Sequence, residues 1–201
     1  MKQDKAELSE DRQLAIDAPT AAVIDIGSNS IRLVVYRRDG DYPFPFFNER
    51  ITCELGRGLD ISGELQPERI DAALKVLARF GKLLDALKPT YVKIAATAAA
   101  RRAKNGDNFL RPAAKILGYP VEILPASEEA RLVTLGLTRN MPIINGLVAD
   151  LGGGSIELVL VKDSKVQDYT SLNIGHLSNL SKKEMKSQIE AIDFLAAAKG
   201  Q

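Results

Sequence analysis

The chain has 201 residues, with 27 Lys and Arg against 26 Asp and Glu, a formal charge of +1, and only 5% aromatic residues. A balance so near neutral gives no bulk attraction to nucleic acid or to an anionic membrane, and no basic stripe or aromatic platform for bases stands out. The single cysteine, Cys53, excludes an internal disulfide and a cysteine-built metal cluster, and no apolar run reaches membrane-spanning length.

Residues 1–19 are charged and lack the apolar centre of a signal peptide, so they read as a flexible leader on a cytoplasmic protein. Strands are expected near 21–27, 31–37 and 45–54, with a turn at Arg38-Asp39-Gly40. Pro67 opens a helix whose apolar stripe is Ile70, Leu74, Leu77, Leu84 and Leu87, and Pro89 lies just past its end. A short strand follows at Tyr91 to Ala95, then a helix from Asp107 to Leu117 stopped by Gly118, and a strand from Val121 to Leu124. A further helix runs from Ser127 to about Arg139, with Leu132, Leu135 and Val133 assigned to its inner face.

The order to that point is βββαβαβα, and it forms a first unit over 20–139. A second unit, 140–201, begins the same order. Its strands are expected at Leu147 to Ala149, Ile156 to Val161 and Val166 to Ile174. A helix follows at 181–198, with Met185, Ile189, Ile192 and Leu195 or Ala196 on one face.

What joins the two units is a repeated stretch. Residues 22–35 read AVIDIGSNSIRLVV and residues 147–160 read LVADLGGGSIELVL. Asp25 matches Asp150, Gly27 matches Gly152, Ser30 matches Ser155 and Leu33 matches Leu158, all at an offset of 125. Each copy is an apolar strand ending in Asp, a turn of small residues, then Ser-Ile and a second apolar strand. Glycine lets a backbone approach a ligand, and consecutive N–H groups in such a turn can converge on an anion. One copy would read as an ordinary glycine-rich hairpin. Two copies, each with the Asp before the turn and the Ser after it, point to a phosphate site.

Other candidates have plain readings of their own. Ser127, Glu128 and Glu129 suit a helix N-terminus, where a hydroxyl caps and acids complement the dipole. Arg101 and Arg102 read in isolation as a solvated pair. Arg32 and Glu157 occupy equivalent places in the two hairpins, and Arg32 reads as an exposed hairpin charge. Thr97 either contacts phosphate or ends a strand. His176, the one histidine, reads as a loop residue without a role.

Five segments then carry a family resemblance: Asp25-Ile-Gly-Ser-Asn-Ser30, Leu55-Gly-Arg-Gly-Leu-Asp60, Ala96-Thr-Ala-Ala-Ala-Arg101, Ser127-Glu-Glu-Ala-Arg-Leu132 and Asp150-Leu-Gly-Gly-Gly-Ser-Ile-Glu157. In order and spacing they resemble the N-terminal portion of the Ppx/GppA family, over roughly residues 20–172. The family comprises the exopolyphosphatases and guanosine pentaphosphate phosphohydrolases of the actin-like ATPase superfamily. The resemblance implies an α/β fold, a ribonuclease H-like (actin-like ATPase) domain βββαβαβα followed by a truncated second copy. It also implies a hydrolase acting on acid anhydrides, which releases orthophosphate from inorganic polyphosphate or from guanosine pentaphosphate with Mg²⁺ as cofactor.

By the same resemblance Glu129 is the catalytic base. Gly27, Ser28, Asn29, Ser30, Thr97, Arg101, Gly152, Gly153, Gly154 and Ser155 bind phosphate, and Asp25, Asp150 and Glu157 serve the metal. The chemistry is coherent, because phosphoanhydride cleavage needs donors for phosphoryl oxygens, a divalent cation and a group that activates water.

The chain departs from the family pattern after Ser171-Leu172, where Asn173-Ile-Gly-His-Leu-Ser-Asn179 lacks the family's Arg. The family also continues for a further stretch of chain. A second reading is therefore a non-catalytic phosphate-binding fragment or subunit that works with a complementing C-terminal chain, and a homodimer is also left open. The residues do not choose between the two substrates.

Overall fold

Alternating burial along the first strand fixes which side of its sheet faces the core. In β1 (Thr20–Ile26), Ala22, Ile24 and Ile26 are buried, whereas Asp25 on the opposite face is exposed. In this computed structural model, β2 (Ser30–Asp39) and β3 (Tyr42–Thr52) continue the sheet antiparallel. The strands β4 (Tyr91–Ala96) and the two-residue β5 (Glu122–Ile123) add parallel on the other side. The strand order is β3-β2-β1-β4-β5. The structure describes residues 20–39, 42–139, 141, 145–179, 181, 183, 184, 186, 187 and 190.

Two helices cover the inner face. Helix α2 (Pro67–Leu87), which follows a one-turn α1 (Leu59–Ser62), buries Ala73, Leu77, Phe80, Gly81 and Leu84. The expected stripe faces the core: Leu77 and Leu84 are buried, and Ile70, Leu74 and Leu87 are partly buried and packed against the same cluster. Pro at the first helical position needs no N–H partner, so the start at Pro67 follows from sequence. After β4 come α3 (Ala98–Arg102) and α4 (Asp107–Leu117), the latter burying Phe109, Ala113 and Leu117 and ending at left-handed Gly118 (φ 73°). A Cβ on Gly81 would stand 3.4 Å from the Ile116 carbonyl oxygen, so α2 and α4 approach closely there.

Helix α5 (Ala126–Thr138) belongs with a second sheet made of β6 (Gly146–Leu151), β7 (Ile156–Lys162) and β8 (Lys165–Leu172), antiparallel in the order β6-β7-β8. Its inner face is a correction to the expected one. Ala130 and Thr134 are buried and Val133 is half-buried, while Leu132 and Leu135 are exposed. The small Ala130 lets the helix settle onto Val159 and Val161, and a 3.6-residue period then turns the leucines outward.

The repeat reappears as pairing. In the first hairpin Asp25 faces Arg32 and Ile26 faces Ile31; in the second Asp150 faces Glu157 and Leu151 faces Ile156. The short helices α1 and α3 were not foreseen. The expected leader 1–19, Gly40 of the expected turn, and Met185, Ile189, Ile192, Leu195 and Ala196 of the expected terminal helix lie outside the described residues. Within that last span residues 183, 184, 186, 187 and 190 are helical. Among the described residues no helix is long and apolar enough to cross a membrane.

Candidate functional site

The two turns meet face to face. Each is closed by its own short bond, Gly27 N to Ser30 O at 3.0 Å and Gly152 N to Ser155 O at 2.9 Å. A Cβ on Gly153 would lie 2.8 Å from Asn29 N, and one on Gly154 would lie 2.7 Å from Ser28 Oγ. Here glycine is demanded by the contact between the turns, because no larger residue leaves room for it.

Each turn is also held from behind by its carbonyls. Cys53 N and Glu54 N donate to Asn29 O (3.0 and 2.8 Å), and Gly56 N donates to Ser28 O (2.8 Å). In the second turn His176 N donates to Gly152 O (3.3 Å), Leu177 N to Gly153 O (2.9 Å), and Arg102 Nη1 to Gly154 O (3.0 Å). In a trans peptide the next residue's N–H points opposite to the carbonyl. The N–H groups of Asn29 and Ser30, and of Gly153, Gly154 and Ser155, are thereby turned away from these braces. Gly175 completes the second brace, since a Cβ there would fall 2.2 Å from Gly153 O.

Between the turns lies a cleft of about 230 Å³. It is lined by Asp25, Gly27, Ser28, Asn29, Ser30, Thr97, Glu129, Asp150, Gly152, Gly153, Gly154, Ser155 and Glu157. Thirteen of the fourteen residues proposed from sequence are thus brought together in one place. Arg101 is not among the lining residues. From α3 its Nη1 donates to Glu129 Oε2 at 2.9 Å and to Leu124 O at 2.6 Å, so it grips the carboxylate and lies behind the cleft wall.

The carboxylates differ in setting. Glu129, in the first turn of α5, has its pKa raised by loss of hydration; the Arg101 hydrogen bond opposes this, and the charges of Glu157 and Asp25 add to it. Asp25 opens to the cleft but has protein on its other sides. Loss of hydration raises its pKa, Arg50 and Arg32 oppose the rise, and Asp150 adds to it. Glu157 is 2% exposed and accepts a hydrogen bond from Ser171 Oγ at 2.9 Å. Burial and neighbouring acids thus favour the protonated form of Glu129 more than in a free carboxyl, and the Arg101 guanidinium fixes the orientation of the carboxylate. Among the described residues no group of three His, Cys, Asp or Glu forms a ready metal cage.

Four further residues line the cleft: Arg50, Ala98, Leu151 and His176. His176, read from sequence as a loop residue, has Nδ1 at 3.1 Å from Gly152 O. Arg102, read as solvated, is half-buried as a brace of the second turn. Neither position carries a local signal, since both are defined by contact with the distant turn.

The family model described as the Ppx/GppA phosphatase family matches residues 33–199. The chain belongs to the Ppx/GppA phosphatase family. It is similar to a guanosine-5'-triphosphate,3'-diphosphate pyrophosphatase of Vibrio vulnificus, 31% identical over 185 residues that make up 92% of this chain and 37% of that one. Among solved structures it resembles an exopolyphosphatase from Cytophaga hutchinsonii, with TM-score 0.74, 26% identity, and coverage of 84% of this chain and 53% of the other. It also resembles the Ppx/GppA enzyme of Aquifex aeolicus, with TM-score 0.71, 32% identity, and coverage of 90% and 64%. The chain therefore spans between about a third and two thirds of the length of these relatives. Its mixed α/β architecture is that of the Ppx/GppA proteins, members of the actin-like ATPase superfamily.

Proposed function

We propose that this chain carries the phosphate clamp and the water-activating base of a phosphoanhydride hydrolase that releases orthophosphate from inorganic polyphosphate or guanosine pentaphosphate. The observation that carries the reading is the pair of facing glycine turns, their amides turned from the braces, with Glu129 beside them in the same cleft.

The terminal phosphoryl group sits between the turns. The N–H groups of Asn29, Ser30 and Gly153 to Ser155, with the hydroxyls of Ser28, Ser30, Ser155 and Thr97, donate to its oxygens. Such preorganised donors stabilise charge as it redistributes over the phosphoryl oxygens. Glu129 accepts a proton from water as the water oxygen bonds to phosphorus. The bridging P–O bond then breaks, and the electron pair leaves with the shortened chain. Arg101 acts through Glu129: its Nη1 orients the carboxylate.

Mg²⁺ fits the donor set, because it favours hard oxygen ligands and is commonly bound by one or two carboxylates plus substrate phosphates, without a full protein cage. Asp25 and Asp150 would hold it, with Glu157 behind them, and it would neutralise charge on the phosphate oxygens.

A second reading has its own observation. Leu147 and Leu151 on β6, Leu160 on β7 and Leu135 on α5 are all exposed. On this reading the actin-like units divide after residue 139, the second is partial in this sequence, and the site works only with a complementing C-terminal chain or a second copy. Phosphate release by the purified chain from each substrate, with Mg²⁺ or chelator, tests both. Release lost in Glu129→Ala with unchanged thermal unfolding supports the first reading. Equal release by that variant sinks it, and release that appears only on adding a C-terminal chain supports the second.

A further inference from the structure

The charges lining the cleft are poorly matched to a polyanion. Four lining side chains are acids, Asp25, Glu129, Asp150 and Glu157, and Arg50 is the one guanidinium among them. A bound divalent cation offsets part of the excess, but the phosphates beyond the terminal one still need a fixed positive partner.

Arg50 is placed to be that partner. It lies on β3, the outer strand of the five-stranded sheet, and the register sets Asp25 opposite Arg32 and Arg32 opposite Arg50. The three occupy one row on the sheet face that carries Asp25. With strands about 4.8 Å apart, that row runs roughly 10 Å outward from Asp25. Asp25, in the same row, feels the Arg50 charge without forming a hydrogen bond or ion pair with it, and the acids nearest Arg50 along the chain are engaged elsewhere: Glu49 binds Arg79 at 2.9 Å, and Glu54 binds Arg69 at 2.9 Å. Arg32 has its Nε on Asn48 Oδ1 at 2.9 Å, while the Arg50 side chain makes no hydrogen bond or ion pair among the described residues. Like charges directly opposite on adjacent strands cost stability, and a bound anion removes that cost.

We propose that Arg50 forms the subsite for the phosphate next to the terminal one, the leaving part of the substrate, with Arg32 adding to the positive field beside it. The inference rests on the hydrolase reading above and deepens it. A guanidinium can grip two oxygens of one phosphate at once, which an ammonium cannot. Orthophosphate, held between the turns, does not extend to this subsite; any chain of two or more phosphates does. Arg50 thus separates the substrate from the released orthophosphate by length.

The test uses the full chain with Glu129→Gln, so that turnover does not obscure binding, and titrates tripolyphosphate and orthophosphate by calorimetry with Mg²⁺ present. Adding Arg50→Gln weakens tripolyphosphate about tenfold or more and leaves orthophosphate within about twofold. Arg50→Lys recovers part of the loss, and Lys75→Gln, the same charge change at an exposed position of α2, changes neither. Unchanged tripolyphosphate binding in Arg50→Gln overturns the subsite and leaves the hydrolase reading intact, as does an equal loss for both ligands. Failure of the parent to bind either ligand overturns both.

Discussion

Gly153→Ala tests the meeting of the two turns most directly. The added Cβ would stand 2.8 Å from Asn29 N, 2.9 Å from Asn29 Cβ and 3.2 Å from Ser28 Cβ. Carbon atoms in contact rest at about 3.5–4.0 Å, so the turns must part by roughly 0.6 Å or more. The atoms that must yield are backbone and Cβ, which have no rotamer to escape into. Overpacking of this kind costs about 1–3 kcal/mol. A displacement near 1 Å at a positioned site costs up to about 100-fold in rate, so kcat/KM falls about 10- to 100-fold. Gly136→Ala is the control, because a Cβ there meets nothing within 4 Å and replaces glycine in a helix. Phosphate release, tripolyphosphate affinity and thermal unfolding are measured on both variants. Wild-type rate and affinity in Gly153→Ala would show that the turns do not act as one clamp.

Four other outcomes follow from the same geometry. Because Arg101 lowers the pKa of Glu129 against the raising effect of lost hydration, Arg101→Gln shifts the acid limb of the kcat/KM profile to higher pH; an unmoved limb separates the two residues functionally. Asp25 and Glu129 have folded-state pKa values above their ordinary 3.8 and 4.5, so each weakens the fold once ionised. Their cost is absent below the ordinary values and grows as pH rises through the folded ones, so Asp25→Asn raises Tm at pH 7 and loses that advantage on acidification. Arg102→Ala removes the donor to Gly154 O and costs about 1.5–3 kcal/mol, with a raised KM as the sign that the second turn has loosened. Phe80→Ala, in the core between α2 and the sheet, costs about 3–5 kcal/mol by chemical denaturation and leaves the KM of the folded fraction unchanged.

How far the sequence carried the reading depended on the range of the signal. Pro67 and Gly118 mark helix ends by local backbone chemistry, and both ends are where they were expected. The repeat at Asp25 and Asp150 was visible because both strands of each hairpin are contiguous. Helices α1 and α3 span only four and five residues, too few to show a period. The inner face of α5 was misjudged because leucine outweighs alanine in any apolar count, whereas the packing distance to Val159 and Val161 favoured the smaller residue. Arg50 reaches the cleft through two successive strand registers, and His176 through a crossing near Gly153 that only Gly175 permits. Such positions are set by tertiary structure, and no local pattern announces them.

The matched hairpins have a further consequence at the one place where their pairing partners carry opposite charge. Arg32 faces Asp25 in one copy, and Glu157 faces Asp150 in the other. Two equal halves would present a phosphate chain with a mirror-like choice of which way to lie. Opposite charges at equivalent places remove that choice and give the cleft a polarity, basic toward β3 and acidic toward β7. On the proposed reading, a chain of phosphates with its end at Glu129 would lie toward β3 and away from β7.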